Sequence, residues 1–143
     1  MASTIKKGVK ELCAEAERQI ETMSVEQVMA AAKDPKVQLV DIRDIRELWR
    51  EGGIPGAYHA PRGMLEFWVD PNSPYAKEMF QADKKFIFFC AGGMRSALAA
   101  KSVHDMGLAP VAHMAGGFGA WREKGGTIIP IEQKPPGEAK KKA

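Results

Sequence analysis

Two short runs, VQLVDI at 37–42 and KFIFFC at 85–90, constrain this chain more than any other feature. Both are rich in β-branched or aromatic residues, and both are too short for a stable helix. Successive side chains of a strand point to opposite faces, so runs this apolar need cover on both sides. A parallel sheet with helices above and below provides that cover. VAHM at 111–114 reads as a third strand, and a brief one is expected around Tyr58.

Helical patterns separate these strands. Ile5, Val9, Leu12, Cys13, Ala16 and Ile20 recur at helical spacing among charges, predicting an amphipathic amino-terminal helix with Cys13 on its apolar side. Ser24 with Gln27 forms a capping-box pattern for a second helix, and Asp44 can cap a third over Ile45 to Arg50. Another helix is expected from about Arg95 to Met106, and a small one carrying Phe118 and Trp121. The expected fold class is therefore α/β, a central, mainly parallel sheet flanked by helices on both sides. Residues 1–22 read as a helical extension, 23–128 as the domain, and 129–143, rich in Pro, Lys and Gly, as a disordered tail.

At 143 residues the chain suits one domain. The net charge of +3 is partly concentrated in KPPGEAKKKA, so no nucleic-acid partner is expected. The two cysteines, Cys13 and Cys90, form no CxxC or Cys/His cluster, so no metal is expected. The start, MASTIKKGVKELCAEAERQI, is charged throughout and lacks the apolar core of a signal peptide. No apolar run approaches a membrane span. The expectation is a cytoplasmic protein with Cys90 as a free thiol and Cys13 as a small core residue.

The chemistry is expected in FFCAGGMRSALAA, 88–100. Cys90 ends a strand, two glycines turn the chain, and a helix begins. In an open α/β sheet, reactive groups gather beyond the carboxyl ends of the strands. Glycine has no side chain to block a tight curl, so the N–H groups of Ala91, Gly92, Gly93, Met94 and Arg95 can converge as an anion-binding nest. The helix N-terminus adds partial positive charge, Arg95 a full one, and the Ser96 hydroxyl one more donor. Such surroundings favour a cysteine thiolate without a general base. His59, His104 and His113 are scattered through the sequence and read as structural or exposed.

With those residues in view, the chain resembles a single-domain rhodanese of the bacterial stand-alone type, in the rhodanese-like sulfurtransferase superfamily. LVDIRDIRELWREGGIPGAYHAP, FFCAGGMRSALAA and MAGGFGAWREKGG carry the resemblance, which runs from about Ser24 to Thr127. It implies that Cys90 accepts a sulfane sulfur as a persulfide, with no cofactor beyond that covalent intermediate. The implied donor is thiosulfate or a related compound, and the acceptor cyanide or a thiol; a sulfur-relay protein is a further candidate partner. Asp41 and Arg43 match the family's Asp-x-Arg and Glu47 the acid that follows. They are expected to brace the site, with Arg43 and Glu47 paired. Arg62, Phe67, Trp68, Phe118 and Trp121 are candidates for a pocket wall. Ala91 stands where thiosulfate-preferring members often carry a basic residue, which counts against thiosulfate as the physiological donor.

Three other readings share these residues. A cysteine phosphatase or arsenate reductase typically uses C-x5-R, against C-x4-R here, a loop narrow for phosphate. A non-catalytic binding module would share the fold, since fold alone does not fix function. A persulfide carrier would share the chemistry and differ in being loaded by a protein.

Overall fold

The computed structural model describes residues 2–133. The portion of the expected disordered tail from residue 134 onward lies outside the described residues. Five strands form one parallel sheet: β1 (Glu21–Met23), β2 (Val37–Asp41), β3 (Tyr58–His59), β4 (Lys85–Phe89) and β5 (Val111–Met114). Their order is β1-β5-β4-β2-β3, which puts the two strongest apolar strands side by side near the centre. In register, Val40 lies opposite Phe88 and Asp41 opposite Phe89.

Among the described residues, six α-helices accompany the sheet: α1 (Val9–Gln19), α2 (Val25–Ala31), α3 (Ile45–Glu51), α4 (Leu65–Val69), α5 (Met94–Asp105) and α6 (Gly117–Glu123). The period of two in β4 divides the core. Phe86, Phe88 and Cys90 pack with Val40, Leu65, Ala99, Ala100 and Val103 on one face. Ile87 and Phe89 pack with Val28, Leu39, Met114, Phe118 and Trp121 on the other. The four side chains Phe86 to Phe89 are each 1% exposed or less. Full burial of such a side chain contributes about 1.5–3 kcal/mol before conformational entropy is subtracted. Among the described residues, no helix is long and apolar enough to cross a membrane.

Both expected caps form, and each is a full capping box. Ser24 Oγ accepts from the Gln27 N–H at 3.1 Å, and Gln27 Oε1 accepts from the Ser24 N–H at 2.9 Å. Asp44 and Glu47 make the corresponding pair at the start of α3.

The amino terminus departs from expectation. Helix α1 buries Cys13 and Ala16 against Ala97 of α5, while Ile5, Val9 and Leu12 remain 77%, 52% and 40% exposed. Its buried stripe is thus made of small residues. Residues 21–23 continue as β1, parallel to β5, so a boundary drawn between 22 and 23 falls inside a strand of the sheet. At the other end, Ile129 and Gly53 exchange two backbone hydrogen bonds of 2.9 Å, so the chain just past 128 still belongs to the fold.

Candidate active site

Cys90 directly follows β4, and its backbone is held from behind by the amino end of α6. The Phe118 N–H donates to the Cys90 carbonyl at 2.8 Å, and the Gly119 N–H to the Ala91 carbonyl at 3.1 Å. This close approach explains the glycines of MAGGFGAW. Gly117 has φ +58°, and a Cβ there would lie 2.4 Å from the Cys90 carbonyl oxygen. With both carbonyls engaged by α6, the loop turns back toward the sulfur at Gly93, where φ is +108°. The Gly93 N–H then donates to Cys90 Sγ at 3.1 Å. Gly92 has no positive φ, and a Cβ on it would meet no atom within 4 Å. Of the two loop glycines, Gly93 carries the conformational requirement.

The expected ring of amides is narrower than the sequence suggests. Among the described residues, one main-chain N–H, that of Gly93, lies at hydrogen-bond distance from the sulfur. Helix α5 starts immediately afterwards, and its N-terminus adds partial positive charge beside the thiol. Cys90 is only 1% exposed, whereas Gly92, Met94 and Arg95 of the same loop are exposed.

The hydrogen bonds of Arg95 do not go to the sulfur. Its guanidinium binds Glu47 of α3 in a fork, at 2.9 and 3.0 Å. The Arg95 hydrogen bonds hold the Glu47 carboxyl below the usual glutamate range, against the opposing effect of burial. The expected Arg43–Glu47 pair is absent because Arg43 is taken by Asp41. Arg43 Nη2 donates to Asp41 Oδ2 at 2.7 Å, and Nε to Oδ1 at 3.0 Å, with both side chains at 2% exposure or less. Arg43 also donates to the Gly52 carbonyl at 2.9 Å, and its Cζ lies 4.1 Å from the centre of the Phe118 ring. Asp41 and Arg43 therefore join the end of β2, the end of α3 and the start of α6. Glu47 instead ties α3 to the cysteine loop.

The other candidates are dispersed. Phe118 is 1% and Trp121 6% exposed; both pack in the core instead of walling a pocket, and Trp121 Nε1 donates to the Thr127 carbonyl at 2.9 Å. Phe118 supports the loop through its N–H on the Cys90 carbonyl, and Trp121 anchors α6 in the core. Arg62 is engaged by Glu66, to both carboxylate oxygens at 2.9 Å, and Ser102 also donates to Glu66 at 2.6 Å. Phe67 stands edge-on to Tyr75, and Trp68 packs against Tyr58 with Lys77 Nζ over its ring. Intramolecular partners thus occupy all three at α4 and the turn before it.

Behind the thiol, the expected donor Ser96 leads to two polar residues that escape a reading of the sequence, His113 and Glu17. Ser96 is fully buried, and its Oγ lies 3.6 Å from Cys90 Sγ and 2.9 Å from His113 Nδ1. His113, 1% exposed on β5, has its Nε2 at 2.8 Å from Glu17 Oε2 on α1. A histidine in the middle of a fully buried four-residue strand was the available signal for His113. Glu17 stands 96 positions away in sequence and had none. Cys13 lies nearby on α1, its Sγ 3.5 Å from the Met94 carbonyl. Burial, assisted by the Glu17 charge, pushes its thiol up from the usual range, consistent with an inert core residue.

A family model for the rhodanese-like domain matches residues 24–124. The Bacillus subtilis protein YtwF, provisionally named a sulfurtransferase, is 31% identical over 105 residues, covering 69% of this chain and 92% of its own. A solved structure from Rhodopseudomonas palustris, of unknown function and named a "possible tyrosine phosphatase", is 57% identical with a TM-score of 0.87; the match covers 90% of this chain and 99% of that one. A thiosulfate sulfurtransferase from Pseudomonas aeruginosa is 26% identical with a TM-score of 0.68, over 84% of this chain and only 22% of the other.

Proposed function

The chain belongs to the rhodanese-like domain family, and from that premise we propose that it is a sulfurtransferase in which Cys90 carries the transferred sulfur. The observation that carries this reading is the position of Cys90 Sγ at a strand tip, 3.1 Å from the Gly93 N–H and at the start of the twelve-residue helix α5. A sulfur there can hold negative charge, both as attacking thiolate and as leaving group.

In the first half-reaction the Cys90 thiolate attacks the outer sulfur of a sulfane donor. The S–S bond of the donor breaks, its electron pair leaves with the departing group, and Cys90 becomes Cys–S–S⁻. In the second, cyanide or a thiolate attacks the terminal sulfur, and the Cys90 thiolate leaves. Charge balances in each step, and ping-pong kinetics follow. The covalent bond stores the sulfur, so no resident cofactor is invoked. Because Cys90 is 1% exposed, the donor gains the sulfur by displacing the exposed loop at Gly92 and Met94. The loop's cation, Arg95, is already matched by Glu47, and Ala91 adds no charge. This favours a thiol persulfide, on a small molecule or a sulfur-relay protein, over dianionic thiosulfate as the physiological donor. Asp41, Arg43 and Glu47 act in this reading as braces of the loop.

A phosphatase is less well supported. The arginine that would grip a phosphate is held in a fork by Glu47, and the loop is one residue shorter than C-x5-R. Intact-mass measurement after incubation with thiosulfate, or with a small-molecule thiol persulfide, tests the proposal. The expected result is gain of one sulfur atom, removed by cyanide and absent in Cys90→Ser. Loading only from a protein persulfide would make the chain a carrier. Hydrolysis of p-nitrophenyl phosphate without sulfur uptake would overturn the proposal in favour of a phosphatase. A folded protein with neither activity would be a binding module.

A further inference from the structure

The buried polar contacts behind Cys90 run in one direction. The Glu17 carboxylate, half-exposed on α1, accepts a hydrogen bond. His113 Nε2, at 2.8 Å, must then carry a proton. In the neutral imidazole this leaves Nδ1 as an acceptor, and the Ser96 hydroxyl, 2.9 Å away, is its donor. The competing acceptor for that hydroxyl, the Gly93 carbonyl, is farther off at 3.4 Å. Ser96 Oγ keeps a lone pair for the Cys90 thiol at 3.6 Å. The chain is thus S–H to O–H to Nδ1, with Nε2–H to a carboxylate at the protein surface. Ser96 and His113 are at most 1% exposed, so water does not offer itself as the alternative partner.

We propose that Ser96, His113 and Glu17 form a proton relay that ionises Cys90 and returns its proton. The Cys90 S–H bond breaks and leaves its electron pair on sulfur. The proton joins Ser96 Oγ, whose own proton passes to His113 Nδ1. The products are a thiolate and an imidazolium, and no proton is gained or lost. Ser96 O–H now donates to the thiolate beside the Gly93 N–H, and Glu17 stabilises the imidazolium from α1. Protonation of the departing thiolate runs the same path in reverse. The three residues position and shuttle the proton, while Cys90 alone bonds to the substrate. The proposal deepens the sulfurtransferase reading and rests on it only for its purpose, because ionisation of the thiol can be measured without any donor.

Several other charged groups face this chain. On α1 the second thiol, Cys13, lies beside Glu17. Arg95 of α5 feels the charges of Cys90 and Asp41, and its guanidinium is bound by Glu47 of α3; Asp41 is bound by Arg43. Both cations are paired with carboxylates, and the imidazolium is a counter-charge created by the same proton transfer that creates the thiolate.

The test is the thiolate ultraviolet absorbance against pH in a Cys13→Ala background, compared with the same protein carrying Glu17→Gln or His113→Gln. An opposite charge within a few ångströms favours the charged form by about one pH unit or more. Glu17→Gln is therefore expected to move the appearance of Cys90 thiolate up by about one pH unit while preserving the fold, because the amide keeps the contact. His113→Gln is expected to move it further, and Ser96→Thr to restore what Ser96→Ala loses. The iodoacetamide rate of Cys90 at pH 6 should fall about tenfold in Glu17→Gln, in step with the titration. An unchanged titration in Glu17→Gln overturns the relay, even if sulfur loading persists. An upward shift supports it, even if sulfur is never loaded and the sulfurtransferase reading fails; a downward shift, which loss of a nearby negative charge alone would give, overturns it.

Discussion

Replacing Gly117 by alanine separates a glycine needed for close approach from one needed only for its backbone angle. At Gly117 the φ of +58° costs any other L-residue roughly 1–2 kcal/mol. The added Cβ would also lie 2.4 Å from the Cys90 carbonyl oxygen and 2.8 Å from the Ala91 carbonyl carbon and oxygen. These are backbone atoms, so the clash is relieved only by moving the loop or α6. Either movement breaks the Phe118-to-Cys90 and Gly119-to-Ala91 hydrogen bonds, each worth about 1 kcal/mol net. The expected destabilisation is about 3–4 kcal/mol in urea unfolding. Gly56→Ala is the control, with a similar φ of +79° and no atom within 4 Å of the new Cβ. It should cost no more than about 2 kcal/mol and leave sulfur uptake unchanged. In Gly117→Ala, uptake should fall about tenfold or more, because a displaced Cys90–Ala91 backbone carries the Gly93 N–H off the sulfur. Equal stability and equal uptake in the two variants would refute the argument that α6 sets the loop.

Three further outcomes are expected. Arg43→Met leaves the Asp41 carboxylate buried without its partner and should cost about 3–5 kcal/mol in urea, whereas the double variant Asp41→Asn, Arg43→Met should recover much of that; a single-variant loss below about 1 kcal/mol would contradict the assignment. Glu47→Gln should be destabilising at neutral pH. Because the folded Glu47 carboxyl sits below its ordinary value of 4.5, its contribution is fully present above that value and disappears as pH falls through the lower folded value. The stability gap from the native protein should therefore close on acidification, and a gap that widens would count against the Arg95 pairing. Gly93→Ala should lose stability and sulfur uptake together, while Gly92→Ala should unfold at the same urea concentration as the native chain; the reverse order would place the strained turn at the wrong glycine.

The central strands were readable because burial on both faces leaves its mark in four of the five residues of KFIFF and in three of the four of VAHM. Capping at Ser24 and Asp44 was readable because it is local, decided within four residues. β1 was not, since Glu21–Met23 buries Met23 alone and its strand character comes from hydrogen bonds to β5, ninety positions away. The same holds for the ion pairs. Arg43 and Glu47 have the spacing of a helical pair, but Arg43 precedes α3 and is drawn inward by Asp41, which frees Glu47 for Arg95. The cysteine at the strand tip was legible as a local motif. The histidine behind it stood out only as a polar residue in an apolar strand; its partners were not legible, because they come from α1 and α5, brought together only by the packing of those helices.

The three residues of β1 have a practical consequence for anyone shortening this protein. The family match begins at residue 24, an obvious place to cut. A fragment starting there would discard the strip of backbone that pairs with the outer side of β5. Its N–H and C=O groups would then lie bare along an apolar margin, an invitation to strand exchange between molecules. Such a fragment should precipitate or dimerise more readily than the chain that keeps residues 21–23, even with every residue of the cysteine loop retained.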